Sequence, residues 1–263
     1  MTFLGHDRYC SEVTVQTGLL RDAIRGADLS ATVPTCPDWT LGDLARHVGG
    51  SHRWAAEIVR TRAADEIPEE EVPGYAGPDG DDPSALDAWL AEGAGLLESV
   101  LRESGPDAAV WTWAPERTAG FWARRMTHET VVHRADAERT VDRAFTVAPD
   151  VAADTIDEWL EILSDLSATG QDPELAELRG AGRSIHLHAT DTAPALDAEW
   201  LIEFGAERFT WRRAHAKATV ALRGPVADVL QVFYRRLPAD SDRVEVLGDA
   251  ELLRFWLQRA NWN

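Results

Sequence analysis

Apolar residues recur at helical spacing in five segments of the first two thirds of the chain. These segments run from about Arg8 to Arg25, from about Leu41 to Arg62, from near Pro83 to Val100, from Phe121 to Glu138, and from Pro149 to Ala168. Thr40 is suited to cap the second helix, with Asp43 three residues later, and proline suits the first turn of the fifth. The pattern predicts that residues 1–170 form a bundle built on four main helices.

Two polar segments interrupt the helical pattern. The stretch "GADLSATVPTCPDWT" contains Gly26, Pro34 and Pro37 and is predicted to be turn-rich. The stretch "AADEIPEEEVPGYAGPDGDDP" is acidic and rich in proline and glycine, which predicts a solvated loop.

The pattern changes after "GQDPELAELRGAGR". Short, partly alternating segments bounded by turn residues indicate strands in "SIHLHATD", "AEWLIEF", "RFTWRR", "ATVALRG" and "RVEVLGD", and helices in "PVADVLQVFYRRL" and "AELLRFWLQRAN". Residues 183–263 are therefore predicted to be a small α+β domain, and the fold class of the chain is α+β.

Composition excludes several classes of function. A formal net charge of -19 would repel a phosphate backbone, so nucleic acid is not an expected partner. No apolar run is long enough to cross a membrane, and a cytoplasmic protein is expected. Cys10 and Cys36 match no zinc or redox spacing. Lys217 is the single lysine, a bias towards arginine that is typical of a GC-rich genome.

The fourth helix contains the most informative polar residues. Glu129 and His133 are four residues apart and share a stripe with Trp122, Met126 and Ala137. A carboxylate on an apolar stripe is costly unless it is paired or binds a metal. The order "HETVVH" differs from the zinc-protease motif HExxH. Two interpretations do not need a metal. Glu129 could form an ion pair with Arg125, and His133 could simply be hydrogen-bonded in the core.

A metal requires a further ligand, and the second helix has two candidates, His47 and His52. Helical periodicity does not choose between them. Gly49 and Gly50 between them would let another helix or a ligand come close. Two histidines and a carboxylate with an open position are typical of catalytic zinc, and the same ligands suit iron, nickel or manganese.

These motifs resemble a known family. "VPTCPDWTLGDLARHVGGSHRWAAEIV" and "FWARRMTHETVVHRADAE" are similar to the mycothiol-dependent maleylpyruvate isomerases, and so are the later "SIHLHATD", "AEWLIEF" and "VALRGPVADVLQVFYRR". The resemblance implies a DinB-like four-helix bundle with a smaller second domain that contributes to the substrate pocket. It also implies that His47, Glu129 and His133 bind a divalent metal, usually zinc. His52 and His128 are then left as packing histidines that could also cap a helix or contact substrate.

The resemblance further implies mycothiol, a low-molecular-weight thiol of actinobacteria, as cosubstrate. The free thiol has a pKa of about 8.5, and binding to zinc would deprotonate it. The metal-bound thiolate would add to the cis double bond of a small electrophile, and rotation and elimination would give the trans isomer. A mycothiol S-transferase or a thiol-exchange enzyme of detoxification or secondary metabolism is the alternative. A non-catalytic DinB-like metal-binding module is another.

Further residues are predicted to support this chemistry. Asp136 could accept the ring N–H of His133, although a solvated surface aspartate is an equal interpretation. Arg223, Arg235 and Arg236 are candidates to bind a substrate carboxylate, since guanidinium groups match carboxylates in a bidentate manner. Arg223 and Arg236 are the preferred catalytic candidates.

Overall fold

A computed structural model of the chain describes residues 4–80, 82–170, 172–180 and 182–260. The chain divides into two compact units, with the division between Phe145 and Thr146. Within the described residues, the first unit contains four α-helices: α1 (His6–Ile24), α2 (Leu41–Thr61), α3 (Pro83–Ser104) and α4 (Ala119–Thr140). The predicted four-helix bundle is confirmed.

The start of α2 follows from its sequence. The hydroxyl of Thr40 accepts a hydrogen bond from the backbone N–H of Asp43, and the carboxylate of Asp43 accepts one from the backbone N–H of Thr40, at 3.1 and 3.0 Å. This reciprocal pair satisfies two amides that the first turn of a helix leaves without intrahelical partners. The predicted cap therefore fixes where α2 begins, six residues before His47.

Helices α2 and α3 approach each other closely at Gly49, because glycine has no side chain. A Cβ atom on Gly49 would lie 2.1 Å from the ring of Trp89 on α3. The predicted role of this glycine, to let a neighbouring helix come close, is confirmed. The guanidinium of Arg53, one turn further along α2, lies 4.3 Å from the centre of the same ring.

The stretch predicted only as turns contains a small hairpin. Strands β1 (Thr32–Val33) and β2 (Cys36–Thr40) pair antiparallel, with Pro34 and Thr35 between them. The prediction gave weight to the prolines, which break helices but are tolerated at turns and edge strands. In the acidic segment, Glu69–Glu71 forms one short 3-10 turn, and the other residues between 64 and 80 form no helix or strand, which agrees with the predicted loop.

The second unit contains a mixed sheet of five strands with helices. Its elements are α5 (Pro149–Thr169), β3 (Ser184–Ala189), β4 (Glu199–Phe204), β5 (Phe209–Arg213), β6 (Val220–Gly224), α6 (Val226–Phe233), β7 (Glu245–Gly248) and α7 (Ala250–Arg259). The strand order is β5-β4-β3-β6-β7, with β3 and β6 parallel and the other pairs antiparallel. The α+β class is confirmed. The predicted last helix extends to Asn261, which lies outside the described residues.

Helix α5 belongs to the second unit, which differs from the predicted boundary at residue 170. Its Asp157 accepts a hydrogen bond from the indole of Trp200 at 2.6 Å and forms an ion pair with Arg213 at 2.7 Å. The hydroxyl of Tyr234 donates to the carbonyl of Thr155 at 3.2 Å. The apolar period of α5 predicted a helix but could not identify the surface against which it packs.

Among the described residues, the helices are too short or too polar to cross a bilayer.

Candidate metal centre

Two helices of the bundle bring the three predicted ligands together. His47 lies on α2, and Glu129 and His133 lie one turn apart on α4. Nε2 of His47 and Nε2 of His133 are each 3.0 Å from the same oxygen, Oε1 of Glu129. The two imidazole rings are nearly perpendicular, with their centres 4.9 Å apart. The structure therefore groups two nitrogens and one oxygen within the reach of a single ion.

The second oxygen of Glu129 has a different partner. Arg125, one turn earlier on α4, forms an ion pair with Oε2 of Glu129. The predicted ion pair and the predicted ligand set are thus compatible, because each uses its own carboxylate oxygen. Burial raises the pKa of Glu129, but the charge of Arg125 and the interactions with His133 and His47 outweigh burial and hold the pKa well below its usual range. Glu129 is therefore ionised.

Asp136 orients the ring of His133. Nδ1 of His133 is 3.0 Å from Oδ2 of Asp136, a fully buried carboxylate, and Thr35 in the β1–β2 turn donates to Oδ1 at 2.5 Å. A carboxylate at Nδ1 places a proton there and turns Nε2 towards Glu129. The predicted contact is present, and the solvated alternative for Asp136 is wrong.

The pKa of His133 reflects these neighbours. Burial lowers it, but the charges of Glu129 and Asp136 and their hydrogen bonds outweigh burial and raise the pKa to about 9. A cation bound at Nε2 would have to displace this proton, so metal binding here would release a proton.

The other two histidines of these helices lie apart from the three ligands. Nε2 of His52 is 2.8 Å from the hydroxyl of Thr130, which itself donates to the carbonyl of Met126 at 2.6 Å. Nε2 of His52 is therefore the protonated nitrogen. Burial lowers the pKa of His52 to about 3, so the ring is neutral. His128 is fully buried and meets the ring of Tyr9 edge-on at 5.9 Å.

The chemistry of the group fits a divalent metal. The side chains of His47, Glu129 and His133 are 32%, 20% and 11% exposed, so the group is partly accessible. Trp39 of β2 lies against it, with ring centres 4.7 Å from His47 and 5.9 Å from His133. Two imidazoles and one carboxylate with an accessible side are the ligands of catalytic zinc sites.

Two tryptophans near the ligands in sequence, Trp54 and Trp122, belong to the core. They pack edge to face at 5.1 Å, and Trp122 is fully buried. Trp39, in contrast, adjoins the site.

The two preferred arginines lie in the second unit. Arg223 on β6 is half exposed and faces Glu245 of β7 at 3.4 Å. Arg236, after α6, donates to the carbonyl of Tyr234 at 2.8 Å. Their assignment to a substrate carboxylate stays a prediction.

A second group of metal-ligand side chains was not predicted from the sequence. His186, His188, Glu199 and His215 of the second unit lie close together. "SIHLHATD" was interpreted only as a strand, although residues two apart on a strand share a face, which is a signal that the two histidines are neighbours.

Taken together, the fold and the site define a protein of two domains: a helical bundle with a His/Glu/His centre, and a mixed sheet with helices. Sequence models of the mycothiol maleylpyruvate isomerase N-terminal domain and of the corresponding C-terminal domain match residues 10–138 and 150–255. The chain belongs to the mycothiol-dependent maleylpyruvate isomerase family. The second match includes α5, in agreement with the division after Phe145.

Solved structures share this fold. The crystal structure of a mycothiol-dependent maleylpyruvate isomerase is 16% identical, with a TM-score of 0.59 over 94% of this chain and 95% of that one. A histidine-to-alanine mutant of a mycothiol-dependent maleylpyruvate isomerase gives a TM-score of 0.57 at the same identity and coverage. A search of curated protein sequences gave no match.

Proposed function

We propose that this protein is a metal-dependent enzyme that uses mycothiol as a thiolate to isomerise a small electrophile such as maleylpyruvate. The observation that carries the proposal is the convergence of Nε2 of His47 and Nε2 of His133 on Oε1 of Glu129, each at 3.0 Å, in a chain of this family. These three residues would hold the metal. The metal is zinc or another divalent ion with the same ligand preferences.

A divalent cation held by these side chains would lower the pKa of a thiol that binds it, so that the nucleophilic thiolate predominates at neutral pH. Among the described residues, the group formed by His47, Glu129 and His133 contains no cysteine. Cys10 is fully buried, and burial raises the pKa of its thiol to about 11. An external thiol is therefore the nucleophile that the proposal requires.

The residues of the chain have distinct roles in this proposal. Arg125 holds Oε2 of Glu129, which leaves Oε1 for the metal. Asp136 fixes the orientation of His133. The ring of Trp39 lies beside both histidines and is proposed to form one wall of the site.

Arg223 and Arg236 are proposed to bind a carboxylate of the substrate. The distance of 3.4 Å between Arg223 and Glu245 is long for an ion pair between half-exposed groups, so a substrate carboxylate could compete for the guanidinium. Arg223→Lys would keep the charge but lose the planar fork, and we expect a higher KM for a carboxylate substrate with little change in kcat.

The decisive experiment compares wild type with Glu129→Gln and with His52→Gln as the matched control. Metal content is measured by elemental analysis, and mycothiol-dependent conversion of maleylpyruvate is followed by absorbance. We expect Glu129→Gln to lose one metal equivalent and the activity, whereas His52→Gln keeps both, because His52 lies outside the ligand group. Full activity of Glu129→Gln would overturn the proposal.

The same assay separates the alternatives. If mycothiol is consumed and a conjugate appears by mass spectrometry, the enzyme is a transferase. If removal of the metal lowers the melting temperature and no thiol-dependent activity is found across a panel of electrophiles, the protein is a metal-binding module.

A further inference from the structure

The sheet of the second unit brings three histidines and a glutamate together. His188 on β3 lies directly opposite Glu199 on β4, and residues opposite each other in an antiparallel pair share a face. His186 is two residues before His188 and therefore lies on that face too. His215 follows the end of β5, the next strand in the sheet. Two neighbouring strands and the segment that follows a third thus supply the four side chains.

The backbone fixes the segment that carries His215. The backbone N–H of Ala214 donates to the carbonyl of Glu199 at 2.9 Å, so the residue after it is held beside Glu199 although it lies outside the strand. The side chain of His215 is 77% exposed, and that of His186 is 7% exposed. The group therefore extends from the buried face of the sheet to its surface.

One carboxylate oxygen is surrounded by all three imidazoles. Oε2 of Glu199 is 2.6 Å from Nδ1 of His215, 2.9 Å from Nε2 of His186 and 3.0 Å from Nδ1 of His188. The three rings are oriented edge-on to each other, with centres 5.5 to 5.8 Å apart. Each ring thus directs one nitrogen into the same small space.

Hydrogen bonding accounts for only part of this arrangement, since Nδ1 of His215 is hydrogen-bonded to Oε2 of Glu199 but His186 is not. Nε2 of His186 is near enough to Oε2 of Glu199 for a hydrogen bond, yet it is not aligned for one, and this buried nitrogen has no hydrogen-bond partner among the described residues. A buried nitrogen without a partner is costly. In a metal site the ligand atoms point at a common centre and not at each other, and an ion held by this group would give Nε2 of His186 the partner that it lacks.

We propose that His186, His188, Glu199 and His215 form a second site for a divalent transition-metal ion such as Zn²⁺. Tetrahedral zinc with bonds of about 2.0–2.1 Å places its ligands about 3.3 Å apart, so only small side-chain movements separate the observed group from that geometry. Four protein ligands fill the coordination shell, which is typical of a structural site. The ion would fasten the segment after β5 to strands β3 and β4.

The site is independent of the three ligands on α2 and α4, because it shares none of them. Two metal ions per chain are therefore expected, one in the helical bundle and one in the sheet domain. This inference does not rest on the proposed function, and the two can fail separately.

The test uses untagged full-length protein, stripped with a chelator and titrated with Zn²⁺ by calorimetry. We expect about two equivalents in wild type, about one in His215→Ala and about one in Glu129→Gln. Lys217→Ala is the matched control, because Lys217 is exposed and lies two residues further along the same segment. This variant should bind two equivalents of Zn²⁺, like wild type. His215 is exposed, so its variant should fold, which circular dichroism will check.

A second variant and a spectroscopic probe sharpen the result. Glu199→Gln keeps the shape of the side chain and should also lose one equivalent, and the visible absorption of bound Co²⁺ should fall in both variants. The inference is overturned if His215→Ala and Glu199→Gln bind as much Zn²⁺ as wild type. Loss of all zinc in Glu129→Gln would overturn it as well, because the bundle would then be the sole site.

Discussion

Nδ1 of His133 lies 3.0 Å from Oδ2 of Asp136, three residues further along the same helix. The carboxylate is fully buried and is itself fixed by Thr35, so it is a rigid acceptor. Partners of this kind orient a histidine ligand and raise its basicity.

Asp136→Asn should therefore weaken metal binding at the bundle site. The amide keeps the size of the side chain but loses the charge, and we expect the affinity to fall by roughly 10–100-fold. Competition with a chromogenic chelator measures the affinity of each variant for the metal. Asp107→Asn, at an exposed position, is the control and should bind like wild type. An unchanged affinity in Asp136→Asn would mean that His133 needs no such partner.

Gly49→Ala should destabilise the bundle. The new methyl group would lie 2.1 Å from the ring of Trp89, and overpacking of this kind costs about 1–3 kcal/mol. Gly95→Ala on α3 is the matched control, because nothing lies within 4 Å of its added Cβ. Alanine is the better helix former, so this second change should stabilise by up to about 1 kcal/mol. Urea unfolding measures the change in the free energy of unfolding for both variants. Equal changes would contradict the role of the contact between Gly49 and Trp89.

His52 should make the protein sensitive to acid. Burial lowers its pKa from 6.5 to about 3, so below pH 6.5 the unfolded chain binds a proton that the folded chain does not. The contribution of His52 to the free energy of unfolding is therefore fully present above pH 6.5, and it is lost progressively as the pH falls towards 3. At pH 5 the loss amounts to about 2 kcal/mol from this residue.

Urea unfolding at pH 7 and pH 5, with chelator present throughout, tests this expectation. His52→Gln should lose less stability than wild type over that interval, since glutamine can still donate to Thr130 but does not titrate. If both proteins lose the same amount, another group is responsible for the acid sensitivity.

Cys10 should be unreactive in the folded protein. Burial raises the pKa of its thiol to about 11, so almost no thiolate is present at pH 8. Cys36 is only partly buried and should react first with iodoacetamide, as peptide mass spectrometry would show. Modification of both at equal rates would be inconsistent with a buried Cys10. Cys10→Ala should keep any mycothiol-dependent activity.

Sequence patterns predicted which residues share a face, but not which faces meet. Glu129 and His133 could be paired from their spacing on one helix, and the start of α2 from Thr40 and Asp43. His47 could not be preferred over His52 by periodicity, because both lie at the margins of one stripe. The choice required the resemblance to a family, and in the structure Nε2 of His47 lies 3.0 Å from Oε1 of Glu129.

Three features of the structure could not be predicted from the sequence, because each depends on contacts between residues that are distant along the chain. The β1–β2 hairpin is too short for a strand pattern, yet its Thr35 reaches Asp136. Helix α5 contacts the sheet through Asp157, and the spacing of apolar residues gives no information about the contacts of a polar residue. The group around Glu199 depends on the register of β3 with β4 and on a residue beyond β5.

The buried carboxylate of Asp157 determines where the polypeptide can be divided for separate expression. A fragment that starts at residue 171 would lack α5 and would leave the guanidinium of Arg213 and the indole of Trp200 without their acceptor. A fragment that starts at Thr146 retains all three groups. Protein engineers who wish to exchange the bundle while keeping the sheet domain should therefore join the new sequence before Pro149, within the short connection that follows Phe145.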